Sequence, residues 1–505
     1  MMSRNTGVSK RKWFTSILVT GVLFSSVLAG CSNTEESSAG QKGPVKISIM
    51  SDFTIAQPPS KDNPVLKELE KKTNTDLDIT WVAGPDYLDR LNVVLSSGDL
   101  PDLIKIDDVV NPVFQKLVKQ GAFWDLTPYL KDKKNLKQYP EVIWKNTTID
   151  GKNFVVPVAR PLDGFVTPSI RKDWLDKLGL EIPKTTDELY EVMKAFKEKK
   201  PGGQDTTYGY TMRADYWLES VFTGARGKWK EENGKLVDVT LGSDIRDALL
   251  YKNKLYNEGL IPPDYAVMQE SQFWDLATGN RAGITAETIE ATWRWTYDQW
   301  KKDNTVNWEP LVAISAPGKE PYAEQYRGYI GSIAIPKSVP EAKMKKILSL
   351  IDYGASEEGG TLTLYGIKGV HFNEEDGFKV TTEQAVKDSV GVGAFGKMFM
   401  KFDPYMYAYA PGMPKEIFDR NKKIIDEKEP ISEPDPSIGL VSQTQLTMGA
   451  DYDKKINDLK IKVIMGKEPI EAWDKLVAQL KKDATYQKII KEMNQAYKDR
   501  EASLK

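Results

Sequence analysis

The sequence predicts an α/β protein of two lobes, on three observations. At 505 residues the chain exceeds what one hydrophobic core usually supports. Its apolar fraction of 40% and charged fraction of 28% are those of a soluble globular protein. From residue 45 onward, stretches of period two alternate with amphipathic helical stretches. That is the grammar of a mostly parallel sheet covered on both faces.

The elements follow in order. Val45-Lys46-Ile47-Ser48-Ile49 alternates apolar and polar side chains and reads as a strand. A loop with Pro58-Pro59 leads to Asn63-Pro64-Val65-Leu66-Lys67-Glu68-Leu69-Glu70, which opens a helix with an asparagine N-cap and proline at the first helical position. "DLDITWVA" is a second strand, "YLDRLNVVLSSG" a helix ending at Gly98, and "DLIKID" a third strand. In the middle, "DWLDKLGL" and "TTDELYEVMKAFKEKK" are helices, the second with a threonine cap and acids in its first turn. "TYGYTM" is a strand, "DIRDALLYKNKLYNEGL" a helix and "RAGITA" a strand; later come the strand "GYIGSIAIP" and the amphipathic helix "EAKMKKILSLIDYG". From about Tyr452 to Lys505 the pattern is helical, with polar breaks. No internal repeat and no sustained heptad run is present.

Seventy basic against 72 acidic residues leave no positive field for nucleic acid, which is set aside as a partner. The first thirty residues hold Arg4, Lys10, Arg11 and Lys12 and no acid, so their removal moves the formal charge from -2 to -6. Those residues have a basic start, an apolar stretch from Trp13 to Ala29 and a small-residue exit, the layout of an export signal. Seventeen apolar-stretch residues interrupted by Ser, Thr and Gly are marginal for the ~20 that span a bilayer, so a retained membrane helix is the alternative. Leu28-Ala29-Gly30-Cys31 resembles the lipobox of bacterial lipoproteins, which makes the sole cysteine, Cys31, the expected lipidation site. Acyl chains bind a bilayer by roughly 0.8 kcal/mol per buried methylene, and two or more make a stable anchor. The following "SNTEESSAGQKGP" reads as a flexible tether. No cysteine remains for a disulfide, so the fold must stand on its core.

Five segments in order resemble the extracellular solute-binding proteins of bacterial ABC importers, in the long lipoprotein branch of the carbohydrate-binding group. They are "SSGDLPDLIKID", "IRKDWLDKLGLEIPKTTDELYEVMKAF", "LATGNRAGITAETI", "GSIAIPKSVPEAKMKKILSLIDY" and "IMGKEPIEAWDKLVAQLK", and together they span roughly residues 45–500. The resemblance implies a two-lobe periplasmic-binding-protein type II fold with discontinuous lobes, a hinge and an inter-lobe cleft. It places a signal peptide at 1–30 and a tether at 31–44. The first lobe is expected at 45–158 and 328–372, and the second at 159–327 and 373–505. It further implies an oligosaccharide ligand, two permease subunits as partners, a lipid anchor on the extracytoplasmic face of the cell membrane, a monomer, and no cofactor. Relatives in this branch often carry an acidic calcium loop after the "lkaf" helix; here "KEKKPGGQDTTYG" offers one acid, Asp205, too few for a cation that takes six to eight oxygens. No metal is expected there. A surface glycan-degrading enzyme and a sugar sensor feeding a membrane kinase are the competing readings. Neither a phosphate loop nor a nucleophile elbow occurs.

Sugars present flat apolar faces and a rim of hydroxyls, so a site for them wants aromatic platforms with acids, amides and arginines. Asp52 and Phe53 follow the first strand and Asp107 and Asp108 the third; each pair is a cleft loop or a solvated turn. Arg160 and Arg171 flank the first crossover, as ligand contacts or hinge ion pairs. By resemblance Tyr216 and Trp217, after "TYGYTM", are stacking platforms, with core packing as the alternative, and Glu287 and Thr288, after "RAGITA", are inter-lobe contacts. Trp293, Tyr297 and Trp300 share one helix face and read mainly as core, with Trp293 and then Trp274 as weaker cleft candidates. Tyr329 lies near the return crossover. Tyr405, Tyr407 and Tyr409 face one way if extended, as a cleft wall or a packed strand. The sole histidine, His371, lacks the partners a metal or catalytic role needs and reads as structural or cleft-edge.

Overall fold

The first lobe is built on a five-stranded sheet whose strands lie in the order Thr75–Ala83, Val45–Phe53, Leu103–Ile106, Tyr329–Ala334 and Val155–Ala159. The computed structural model describes residues 43–503; the expected export signal and the expected lipidation site Cys31 lie outside them. Val45–Phe53 pairs in parallel with both neighbours, in register from Val45 opposite Thr75 to Phe53 opposite Ala83. Strand alternation sends Ile47 and Ile49 to one face, against Leu66, Leu69, Ile347, Leu348 and Phe399. It sends Met50 to the other, against Tyr87, Leu91 and Phe114. Both faces are therefore covered, as the alternation of elements predicts. The helix Pro64–Thr73 begins where the sequence places it: Asn63 Oδ1 accepts from the backbone N–H groups of Val65 and Leu66 at 2.9 and 3.2 Å. Those donors have no partner within the helix, which is why an asparagine serves there.

The second lobe carries a four-stranded sheet in the order Trp308–Pro310, Thr167–Arg171, Ala282–Glu287 and Tyr208–Tyr210. Thr167–Arg171 runs antiparallel to both neighbours, as Tyr329–Ala334 does in the first lobe. The expected mostly parallel sheets are thus mixed. A strand that enters a lobe from a crossover starts at the cleft edge and must run away from it, against strands that end there. Helix Thr186–Lys199 starts on a full capping box, Thr185 with Glu188. It packs so closely that a Cβ on Gly283 would sit 2.2 Å from the Phe196 ring, so strand Ala282–Glu287 needs glycine at that point. The C-terminal helices Gln443–Ile464, Ile470–Leu480 and Ala484–Ser503 add Ile456, Val463, Trp473 and Tyr486 to the same core.

One boundary differs from expectation. Residues after 372 were assigned to the second lobe, but Phe395, Met398, Phe399 and Met400 pack in the first-lobe core. The Tyr139 hydroxyl donates to the Met400 carbonyl at 2.5 Å. The chain leaves the first lobe after Met400, and Tyr407 and Ala408 then pack with Ile289, Ile424 and Ile425 of the second. His371 lies in the returning piece of the first lobe. Its Nδ1 accepts from the Ile367 N–H at 2.9 Å, so Nε2 carries the proton and donates to Asp388 at 3.0 Å. Fully buried and doubly bonded, it pins a loop. Among the described residues no helix is long and apolar enough to cross a membrane, and no group of three or more His, Cys, Asp or Glu is placed to hold a metal.

Candidate functional site

Three crossings between the lobes, at residues 160–166, 326–328 and 401–407, meet in an aromatic knot. Phe165 stacks on Tyr326 with centroids 3.9 Å apart and planes at 21°, and Tyr407 lies 5.9 Å from Phe165. Each ring comes from a different crossing. Backbone bonds tie two of these segments together, Arg160 N–H to the Gly328 carbonyl at 2.7 Å and Tyr326 N–H to Leu162 at 2.6 Å. Strand Val155–Ala159 ends at this knot and strands Thr167–Arg171 and Tyr329–Ala334 start from it; in open α/β sheets the ligand cleft usually lies at such strand ends.

On the first-lobe side, Asp52 lies buried at the end of its strand with Lys105 Nζ at 2.8 Å and Lys397 Nζ at 3.2 Å. Burial alone would raise the Asp52 carboxyl, but the two ammonium groups outweigh it and hold it below the usual aspartate value. Lys105 also reaches Asp107 at 2.7 Å. Asp108 both caps its turn, through the Val110 N–H at 3.2 Å, and faces Arg327 at 3.4 Å. One side chain thus both caps a turn and faces the arginine of the return crossing. Arg327 lies 4.5 Å over the Tyr329 ring, whose buried hydroxyl has no partner. Arg160 is buried beside Tyr139, Tyr326 and Tyr407, and burial lowers its pKa. Phe53 is half-buried at the tip of its strand.

On the second-lobe side, Arg213 holds the loop after Tyr208–Tyr210. It donates to the Ala286 carbonyl at 2.7 Å and pairs with Glu287 and with Glu270, the latter at 3.1 Å. Its flanking residues Met212 (φ 69°) and Ala214 (φ 52°) both occupy the left-handed region, which costs non-glycine residues free energy and is tolerated where the surroundings enforce it. Glu287 is raised by burial and held back by Arg213. Glu290 is pushed by burial up to about 7, against the pull of Arg294 3.5 Å away. The Thr288 hydroxyl lies beside the Glu290 carboxyl and helps stabilise its charged form, and both side chains are buried. Tyr216 shares Arg226 with the knot, the guanidinium lying 6.0 Å from its ring and 5.4 Å from that of Tyr326.

The structure places Asp52, Asp107, Asp108, Arg160, Tyr216, Glu287, Thr288, Tyr329 and Tyr407 at strand ends and crossings around this knot. Trp217 is not among them: it is 4% exposed and packs edge-on against Tyr210 in the second-lobe core. Trp293 packs with Ala410 and Met413. Tyr405 turns outward to Asp426 at 2.8 Å, and Tyr409 stacks on Phe378 at 4.5 Å. The stretch holding these tyrosines forms a 3-10 turn at Met406–Ala408 rather than a strand, so their side chains diverge. Arg171 sits at the far end of its strand, clamped by Asp173 and lying over Trp174 at 4.5 Å and Trp308 at 5.7 Å, where it pins the lobe. Trp274 is buried beneath Arg213 and stacks on Trp295. Lys105, Arg213, Glu290, Tyr326, Arg327 and Lys397 were not anticipated. Lys105 left a trace, a cation inside an otherwise apolar strand; Lys397 left none, because only tertiary folding brings its loop to Asp52.

Separate from these strand ends, a cavity of about 690 Å³ lies where the C-terminal helix meets the first lobe, lined by Lys145, Asn146, Phe222, Trp229, Tyr322 and Arg500 among others. Lys145 and Glu501 pair across it at 2.9 Å. None of the convergent cleft groups lines it, so the cleft remains the candidate site.

Two α/β lobes, three crossings and a polar, aromatic cleft define a solute-binding protein of the ABC-importer type. The profile of the bacterial extracellular solute-binding protein family matches residues 54–361, and the chain belongs to that family. It is 35% identical over 513 residues to the polygalacturonan/rhamnogalacturonan-binding protein YtcQ of Bacillus subtilis (strain 168), covering 96% of this chain and 99% of that one. It is 33% identical to lipoprotein LipO of the same organism, covering 97% and 98%. Among solved structures, a human-milk-oligosaccharide (HMO)-binding, ABC-transporter-associated solute-binding protein from Bifidobacterium longum infantis superposes with a TM-score of 0.71 at 21% identity, covering 90% of this chain and 99% of that one.

Proposed function

We propose that the chain is the lipid-anchored receptor of an ABC importer that captures an oligosaccharide in the inter-lobe cleft and hands it to two permease subunits by lobe closure. The observation that carries this reading is the convergence of strand-end groups from both lobes on a knot made by all three crossings. A ligand bridging Asp52, Asp108 and Tyr329 on one side and Glu287, Thr288 and Glu290 on the other gains its full contacts only when the lobes approach. That couples occupancy to shape. Full-length relatives include a polygalacturonan-binding protein, which supports a glycan as the solute. The work is binding, with no bond broken, by a monomer and without a cofactor.

The test is a thermal-shift screen of the purified protein against plant and bacterial oligosaccharides, with X-ray scattering of the best hit. A ligand that binds only the folded state raises the melting temperature, by about 2.7 kcal/mol of stability at a hundredfold excess over Kd. Compaction on binding supports closure. Turnover of the glycan would favour the enzyme reading, and a kinase rather than a permease as co-purifying partner would favour the sensor.

Anchoring is tested separately. Cys31→Ser is expected to move the protein from the membrane fraction to the medium or to leave it as an uncleaved, unacylated precursor, since a serine cannot take the thioether-linked diacylglycerol. An unchanged membrane fraction with normal processing would show that something other than Cys31 holds it.

A further inference from the structure

We infer that the glycan taken by this cleft carries carboxylates, and that Lys397 with Arg160 reads one of them. The inference rests on the receptor reading above. Three cations, Lys105, Arg160 and Lys397, gather at the cleft edge of the first sheet around a single buried carboxylate, Asp52. Lys105 takes a second one, the half-exposed Asp107. Arg160 takes none: at 2% exposure its terminal nitrogens donate to the backbone carbonyls of Ala159 and Gly396, at 2.8 and 3.1 Å. Among the described residues no carboxylate lies within ion-pair distance of it.

The neighbours sharpen the imbalance. Lys397 has Asp52 as its one ion-pair partner among the described residues, and it lies close enough to Lys105 and Arg160 to feel both as like charges. Across the cleft Arg213 is matched by Glu270 and Glu287 and Arg226 by Glu324 at 3.3 Å, while the buried Lys428 donates to the Thr167 hydroxyl at 3.1 Å and has no carboxylate within ion-pair distance among the described residues. On the first-lobe wall the cation without a carboxylate is Arg160, and Lys397 shares its one carboxylate, Asp52, with Lys105. A desolvated cation without a counter-charge is costly, and a guanidinium's planar fork fits a carboxylate better than it fits a hydroxyl. A neutral sugar would complete the burial of Arg160 and Lys397 without neutralising them. A uronate ring supplies the missing charge and leaves its hydroxyls for Asp108, Thr288 and Glu290.

The experiment is calorimetric titration of the full chain with trisaccharides of galacturonic, glucuronic and mannuronic acid, each beside its methyl ester. The ester keeps size and hydroxyls and removes the charge. At least one acid is expected to bind roughly tenfold or more tightly than its ester, as for a charge-assisted hydrogen bond of ~1.5–3 kcal/mol. That preference should shrink as sodium chloride rises from 50 to 300 mM. Lys397→Met should erase roughly tenfold of the acid's affinity and leave the ester's within about twofold, the ester serving as the check that the variant is folded. Arg160→Gln should do the same, but Lys397, the more exposed of the two, carries the test. The inference is overturned if no acid exceeds its ester, or if Lys397→Met weakens both alike. Binding of neutral glycans alone would overturn it while leaving the receptor reading intact. Binding of no glycan of either charge would sink the receptor reading and this inference together.

Discussion

Lys252→Met is expected to destabilise the protein by about 3 kcal/mol, read as a fall in urea midpoint at unchanged slope. Lys252 is 0% exposed, and its ammonium group lies 2.8 Å from Asp215 and 2.9 Å from Glu219 in the second-lobe core. Lys460 reaches the other Glu219 oxygen at 2.7 Å. Burial raises the Glu219 carboxyl, but Lys252 and Lys460 outweigh it and bring it to about 2. Removing Lys252 strands a largely desolvated carboxylate. The cost sits at the low end of the ~3–5 kcal/mol seen for broken buried pairs because Lys460 remains and Asp215 can turn to water. Adding Glu219→Gln should recover part of the loss, since both ends of the frustrated pair are then gone. A loss under ~1 kcal/mol for the single variant would mean that water already solvates the site. The depressed Glu219 contributes stability that is present above its unfolded value of 4.5 and lost as pH falls toward about 2.

Asp52→Asn is the second large effect, again about 3 kcal/mol at pH 7. The change keeps the shape and removes the counter-charge of Lys105 and Lys397. Lys105 retains Asp107; Lys397 retains no carboxylate among the described residues. Asp52 is depressed in the fold, so its contribution is full above 3.8 and disappears as pH falls through the depressed value. The stability curves of wild type and variant should therefore converge in acid and separate toward neutrality. A constant gap across that range would show that the loss comes from packing or from hydrogen bonding that asparagine cannot reproduce, rather than from charge.

Much of the candidate site's placement at strand ends was legible because strand ends are local features. Alternation followed by a polar pair marks where a strand stops, and Asp52, Asp107, Glu287 and Thr288 lie at or just past such points. Side-chain direction beyond the strand end was not legible. Tyr216 and Trp217 open a helix, Tyr216–Thr223, whose residues from Trp217 onward are buried at all but one position, so no periodicity tells the cleft face from the core face. Tyr405, Tyr407 and Tyr409 keep their spacing of two, yet the 3-10 turn through Met406–Ala408 separates their directions by its own period of about three.

By itself the sequence determined the α/β alternation, the capped starts at Asn63 and Thr185, and the family. All of these are encoded in neighbours along the chain, where propensity, periodicity and spacing act. The tertiary structure decided the rest: the return of residues 373–400 to the first lobe, the burial of Trp217, and the meeting of Asp52, Arg160 and Lys397. Those outcomes depend on contacts between segments hundreds of residues apart. Burial and charge pairing there are settled by which surfaces the completed core leaves open, and no local pattern records that.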